Sequence, residues 1–360
     1  MVTYLLMFLF FGMLAYMSEF RQSAGAKNFQ LLTWNPMWLA IFFFLTIFIG
    51  LRHEVGGDWG SYLIYVNSLK DTKISDGFSL TSDPGYLLLN WYAANNGFSI
   101  YFVNFIAAII FSLGLVIFCR NLPRPLLALV AAIPYLIIVV SMGYTRQGIA
   151  LGIAMMGLVL LGREKRYWFV LFILFATSFH KSAIMLLPIA ALAATKNRFF
   201  IIFWISMIGL AAYYSALSSQ FERLVTFYIQ ETYESQGALV RLFMLLIPSL
   251  LLILWPHRFS LEYSELLLWK VFAGVSLSLF ILYFFTDAST AIDRMALYLL
   301  PIQLVVFSYL PEFFGKSGQQ RQWIILGIII YFFLVLIVWI NYSPWSVYWI
   351  PYESLLLNWQ

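Results

Sequence analysis

Charge, cysteine and histidine are all scarce in this chain. Asp, Glu, Lys and Arg together make up only 10% of 360 residues, and there are one cysteine and three histidines. A single cysteine, Cys119, rules out an intrachain disulfide. It lies inside an apolar run, so it says nothing of redox compartment. The chain has no Cys/His cluster, no His-x-x-x-His pair and no compact group of carboxylates, so neither a structural zinc nor any other metal is expected. A glycine-rich ATP loop is missing as well, and no cofactor is expected. The first apolar run has no basic flank before it and no A-x-A cleavage signal after it, and reads as a retained helix. Internal repeats and low-complexity segments are absent.

Hydrophobic residues, in contrast, make up 62% of the chain and aromatics 19%. A soluble domain carries about 25% charged residues, so this composition belongs to a membrane. Apolar runs fall at 3–17, 35–51, 99–119, 125–142, 147–162, 167–179, 182–194, 199–217, 239–255, 266–285, 294–310 and 323–341. A helix of about 20 residues crosses a bilayer. The expected fold is therefore all-α: a polytopic helical bundle of about twelve transmembrane helices, read as one membrane domain over residues 1–360. The runs at 167–179 and 182–194 are short and meet at His180-Lys181, as expected of a tilted helix or one broken at a cavity. The net charge of +5 is distributed by topology and is no sign of nucleic-acid binding.

Lys and Arg in loops stay on the cytoplasmic side. Placing 18–34 inside puts 13 Lys/Arg and 5 Asp/Glu inside, against 8 and 11 outside. The densest basic cluster, Arg163, Lys165 and Arg166, then faces the cytoplasm. Both termini and the loops 52–98 and 218–238 face outward. Each of these loops contains a short amphipathic stretch expected to lie at the membrane interface. One opens at Ser82-Asp83-Pro84, a cap followed by a first-turn proline, and stops at Asn95-Asn96-Gly97. The other runs from Phe221 to Gln236.

This topology leaves cations where the insertion rule disfavours them. Arg146, His180 with Lys181, and Arg294 all fall at external helix ends. So does the stretch 51–62, where Arg52, His53, Glu54 and Asp58 crowd around Gly56, Gly57 and Gly60. Ionisable groups at membrane depth often mark a functional path. Each also has a plain structural explanation. Arginines at helix ends can snorkel, Arg294 can pair with Asp293 or Asp287, His180 can close a helix end, and Glu54 and Asp58 can balance the arginines. Lys181 and Arg241 read first as flank charges.

Arginine grips phosphate oxygens through a fixed fork and keeps its charge. A lipid-linked diphosphate at the membrane surface suits Arg52, Arg146 and Arg294, with Lys181 assisting. The cations would stabilise the charge on a diphosphate leaving group. A base would take the proton of an attacking hydroxyl. Asp58 is the first candidate for that base and His180 the second. Tyr62, Tyr86 and Tyr144 are candidate sugar platforms, and His53 and Glu54 are further candidates from the same loop.

Five motifs occur in order: Arg52 with Gly57-Asp58-Trp59 and Tyr62; Asp83-Pro84-Gly85-Tyr86; Thr145-Arg146-Gln147-Gly148; Phe179-His180-Lys181-Ser182; and Asp293-Arg294 with Tyr298. Together they resemble the EpsG-like branch of the Wzy-type polysaccharide polymerases, over roughly residues 50–300. The resemblance implies a multi-pass protein of the bacterial cytoplasmic (inner) membrane with its site facing the periplasm or exterior. It implies a glycosyltransferase that joins undecaprenyl-diphosphate-linked oligosaccharide units into O-antigen, capsule or exopolysaccharide. A chain-length regulator is a candidate partner. Two rivals remain: a transferase adding single sugars from a lipid-linked donor, and a flippase for the same lipid-linked units. A sugar acyltransferase using His180 is a weaker third.

Overall fold

The computed structural model describes residues 1–21, 35–77, 83–193, 207, 237–286 and 289–356. The run at 199–217 (apart from residue 207), the second interfacial stretch and nearly all of loop 218–238, with Ser82 and Asp287, lie outside the described residues. Each of the other eleven apolar runs carries helix. Among the described residues, five helices are long and apolar enough to cross a membrane, or six if one bent pair is a single span. Four more apolar helices are shorter. The chain divides into two compact units.

The first unit comprises Met1–Met156, Leu174–Lys181 and Phe307–Gln360. It is built on α1 (Val2–Arg21), α2 (Pro36–Gly50), α3 (Trp59–Ser68), α4 (Ile74–Gly77), α5 (Pro84–Asn95), α6 (Ile100–Arg120) and α7 (Pro125–Ala132). The last of these continues without a break into a π-helix, Ile133–Ser141, in which every residue is buried. A tight junction at residues 142–144 then leads into α8 (Thr145–Gly162). Apolar side chains all round mark this rod as the centre of the unit. Helices α6 and α8 touch backbone to backbone. A Cβ on Gly152 would lie 2.7 Å from Phe111 Cα, and one on Gly114 would strike the Gly152 carbonyl. Small residues at such crossings are how apolar helices pack closely in lipid.

The loop 52–98 carries more structure than the sequence pattern predicts. The expected interfacial helix is α5, which starts at Pro84 with Asp83 in the cap position. It buries Tyr86, Leu87, Asn90, Ala93 and Ala94. In addition, α3 begins directly after Asp58 and packs Tyr62 and Val66 inward. The all-α expectation has one small exception among the described residues. Arg52–His53 (β1) pairs antiparallel with Glu353–Ser354 (β2), Arg52 opposite Ser354 and His53 opposite Glu353.

The second unit comprises Gly157–Ile173 and Ser182–Val306. α9 (Arg166–Phe179) ends at His180, a 3-10 turn runs Lys181–Leu186, and α10 (Leu187–Leu192) follows, so the two short runs do break at His180-Lys181. α11 (Ala238–Leu254), α12 (Tyr263–Leu282) and α13 (Ser289–Leu299) complete the unit. Glu262 and Glu265 form a capping box at the start of α12. At Pro301 the chain bends by 44° into α14 (Pro301–Phe314), since a proline disfavours helix in the residue before it. The last helix, α15 (Gly318–Tyr342), lies in the first unit.

Candidate active site

Three of the sequence motifs meet at Asp83. This residue reads from sequence as a helix start, yet no capping bond is made by its side chain. Instead the carboxylate, 3% exposed as a residue, reaches residues far along the chain. Its Oδ2 lies 3.3 Å from Arg146 Nη1 and 3.9 Å from His180 Nδ1, and its Oδ1 accepts the Lys181 N–H at 3.2 Å. That N–H opens the 3-10 turn, where no intrahelical acceptor exists. Gly85 makes the approach feasible. A Cβ there would lie 2.6 Å from Ser178 Oγ, so the first turn of α5 sits directly on the end of α9. Burial alone would raise the Asp83 pKa. The contact and charge of His180, the Arg146 charge and the Lys181 N–H outweigh it, holding the carboxyl below its ordinary value.

Arg146 is held on its other faces by tyrosines. Its Cζ is 5.8 Å from the Tyr62 ring centroid and 5.6 Å from that of Tyr86, in cation–π range. The two rings meet edge to face, and Tyr65 stacks on Tyr86. The side chain of Arg146 is nevertheless 42% exposed. A guanidinium has five N–H donors, so one carboxylate contact leaves donors for an incoming anion. Asp58, half-buried, lies beside this cluster, with Tyr62 O–H donating to its Oδ2 at 3.5 Å. Burial, with the Asp58 charge second, pushes the Tyr62 phenol up to about 12, so it stays a donor at neutral pH.

The sequence candidates therefore separate. Asp58, Tyr62, Tyr86, Arg146, His180 and the Lys181 backbone come together around Asp83. Tyr62 and Tyr86, expected to hold sugars, are 6% and 1% exposed, with their rings turned to Arg146 and to each other. Tyr144 is half-buried just before Arg146. Arg52, expected to hold a diphosphate, is 1% exposed and donates to four oxygens. These are the Ile49 and Val55 carbonyls at 2.7 and 3.2 Å, Asn104 Oδ1 at 3.0 Å and Thr145 Oγ1 at 2.9 Å. It ties the glycine loop to α6 and α8. His53 pairs with the Tyr101 hydroxyl at 2.5 Å and stacks on that ring. Glu54 is exposed, with φ at +52°.

In the second unit, Arg294 is half-buried on α13. Its neighbour Asp293 pairs with Arg241 of α11, both partners being buried. Arg241 thus has a role that its reading as a flank charge missed. The residue that sequence reasoning most undervalued is Asp83. The Asp-Pro-Gly-Tyr motif contains it, but its partners at 146 and 181 are visible only in three dimensions. Among the described residues no group of three or more His, Cys, Asp or Glu is placed to hold a metal ion.

Comparison with curated proteins and with solved structures returns no match. A family model, described as the EpsG family, matches residues 36–354. That span contains all five motifs and the whole Asp83 cluster. The chain is therefore a multi-pass membrane protein of the EpsG family, a Wzy-type polymerase-like family.

Proposed function

We propose that this protein polymerises undecaprenyl-diphosphate-linked oligosaccharide units at the outer face of the bacterial cytoplasmic membrane. The observation that carries this reading is the Asp83 cluster. One buried carboxylate gathers a half-open arginine and a histidine from distant stretches of the chain. Arg146 binds a phosphate of the donor or acceptor lipid and stabilises the departing diphosphate. His180 takes the proton of the attacking sugar hydroxyl, and Asp83 orients its ring and balances the imidazolium. Asp58, the first candidate from sequence, becomes the second choice for the base in this reading, standing beside Tyr62. Lys181 adds positive charge for the second lipid, Arg294 is a separate candidate ligand for a lipid diphosphate, and Tyr144 offers a ring to a sugar. In this reading Tyr62 and Tyr86 carry Arg146, and Arg52 braces the loop. The chain acts as one membrane domain, and a chain-length regulator is its candidate partner.

Reconstitution with purified lipid-linked repeat units tests the reading, with product length read on a gel. A ladder is expected. Addition of one sugar from a lipid-linked monosaccharide would favour the single-sugar transferase. Transfer of units across vesicles without any ladder would favour the flippase. Orientation is tested by cysteine labelling. Ser75→Cys is expected to react with an impermeant reagent from outside, and Lys165→Cys is not; the reverse pattern would refute the outward site.

A further inference from the structure

The C-terminal segment returns to the glycine loop, and no candidate role has so far used it. After α15, residues 343–356 fold back over the start of the glycine loop. Tyr352 O–H donates to the Phe48 carbonyl at 2.8 Å, and the Leu355 N–H donates to the Leu51 carbonyl at 2.8 Å. The Gly56 N–H donates to the Tyr348 carbonyl at 2.9 Å. Beside it sits Trp349, 2% exposed. Its indole N–H donates to the Ile138 carbonyl inside the π-helix at 2.8 Å, and its own carbonyl accepts Tyr4 O–H at 3.0 Å. The ring fills the place a side chain at Gly143 would take, since a Cβ there would lie 2.5 Å from Cζ2 and 2.8 Å from Cη2. Gly56 in turn presses on Met142 and Gly143, with φ at +109°.

The glycine loop, the end of the π-helix and the returning tail thus converge on one indole. Three residues beyond Gly143 stands Arg146, and Thr145 between them accepts the Arg52 bond. We infer that Trp349 is a positioning residue: it fixes the junction from which Tyr144 and Arg146 project and locks the glycine loop carrying Asp58 to the same point. Its effect on turnover rests on the function proposed above, and its effect on the loop does not. A π-helix spreads its turns by one residue, a form found often at functional sites and rarely extended. Here a nine-residue π-helix ends at the junction that needs to be held.

Substitutions in the full-length chain test this with two readouts. The first is hydrogen exchange of the amides at 52–57. With Trp349→Ala these amides, Gly56 above all, are expected to exchange faster, while amides in α6 stay protected. The second is polymerisation per folded molecule. Trp349→Ala is expected to lose about a hundred-fold in kcat/KM, the scale of a misplacement near 1 Å. Gly143→Ala is expected to lose a comparable amount. Trp349→Phe, which keeps a ring against Gly143 and loses the indole N–H, is expected to fall between wild type and Trp349→Ala in both readouts. A merely structural tryptophan would lower the amount of folded protein and leave kcat/KM per folded molecule unchanged. Unchanged exchange at 52–57 in Trp349→Ala, or an unchanged kcat/KM per folded molecule in it, refutes the inference. If even the unsubstituted protein makes no polymer, the functional reading fails, and the exchange result alone decides the role of Trp349.

Discussion

Two arginines flank the same helical rod, Pro125–Ser141, and their surroundings differ. Arg124, just before it, is 6% exposed and meets two carboxylates. Glu19 of α1 takes two bonds at 3.0 and 3.1 Å, and Glu312 of α14 lies at 3.4 Å. Arg146, beyond the far end, is 42% exposed; among the described residues it forms an ion pair with one carboxylate, which also faces a histidine and a peptide N–H. One cation is met by two carboxylates; the other, among the described residues, is ion-paired with one. The first arrangement is a closed stitch between helices. The second leaves charge and donors for an anion from outside. Burial of a charge therefore does not mark a site, whereas incomplete compensation next to an opening does.

The largest effect that would sharpen this contrast is at Arg146. Arg146→Ala is expected to abolish polymer while leaving folded protein in the membrane, as judged by size-exclusion of the detergent-solubilised chain. Arg146→Lys should rescue poorly, because an ammonium keeps the charge and loses the fork. Full activity in the lysine variant would break the assignment of a bidentate phosphate ligand.

Next in size is the base. His180→Ala is expected to lower turnover by roughly two to four orders of magnitude, the usual range for general-base catalysis, with lipid-linked substrate still bound. Asp58→Asn should lose less. If Asp58→Asn is dead and His180→Ala polymerises normally, the two roles are exchanged.

At the other end of the rod the expected change is in stability. Arg124→Ala leaves Glu19 buried without its partner, a loss that costs about 3–5 kcal/mol for a buried pair. Glu312 is 45% exposed and so contributes little. Thermal unfolding in detergent should show a marked drop, with turnover per folded molecule unchanged. A stable Arg124→Ala with impaired turnover would erase the distinction between stitch and site.

The apolar runs were legible in the sequence because hydropathy is local and the runs are long. The break at His180-Lys181 was legible for the same reason, since neither flanking run is long enough for a full span. Helix α3 was not, because glycines and charges just before it read as loop. Asp83 was seen as a helix cap because that signal is local, while its partners are 63 and 98 residues away. Arg52 shows the opposite case. A charge beside glycines suggests a ligand, but sequence does not reveal that Ile49, Val55, Asn104 and Thr145 already take up its donors. Likewise, nothing in the pattern announces that Trp349 comes back to Gly143.

The smallest expected effect concerns pH, and its sign follows from the Asp83 environment. Its carboxyl is held below the ordinary carboxylate value, so the ionised form is favoured by folding. The stabilisation is fully present above the unfolded value of about 3.9 and is lost as pH falls through the lower folded value. Between neutrality and about pH 5 the Asp83 carboxyl is ionised in both the folded and the unfolded chain, so its own titration adds no slope there. Below about pH 4 its share should fade, because the unfolded chain by then binds a proton that the folded chain still excludes. Asp83→Asn removes the titration and keeps the shape. The stability gap between wild type and Asp83→Asn, followed by thermal unfolding, should narrow on acidification below about pH 4. A gap that widens below about pH 4 would mean that Asp83 is protonated in the fold, and the contrast with the closed Arg124 pair would then need a different electrostatic basis.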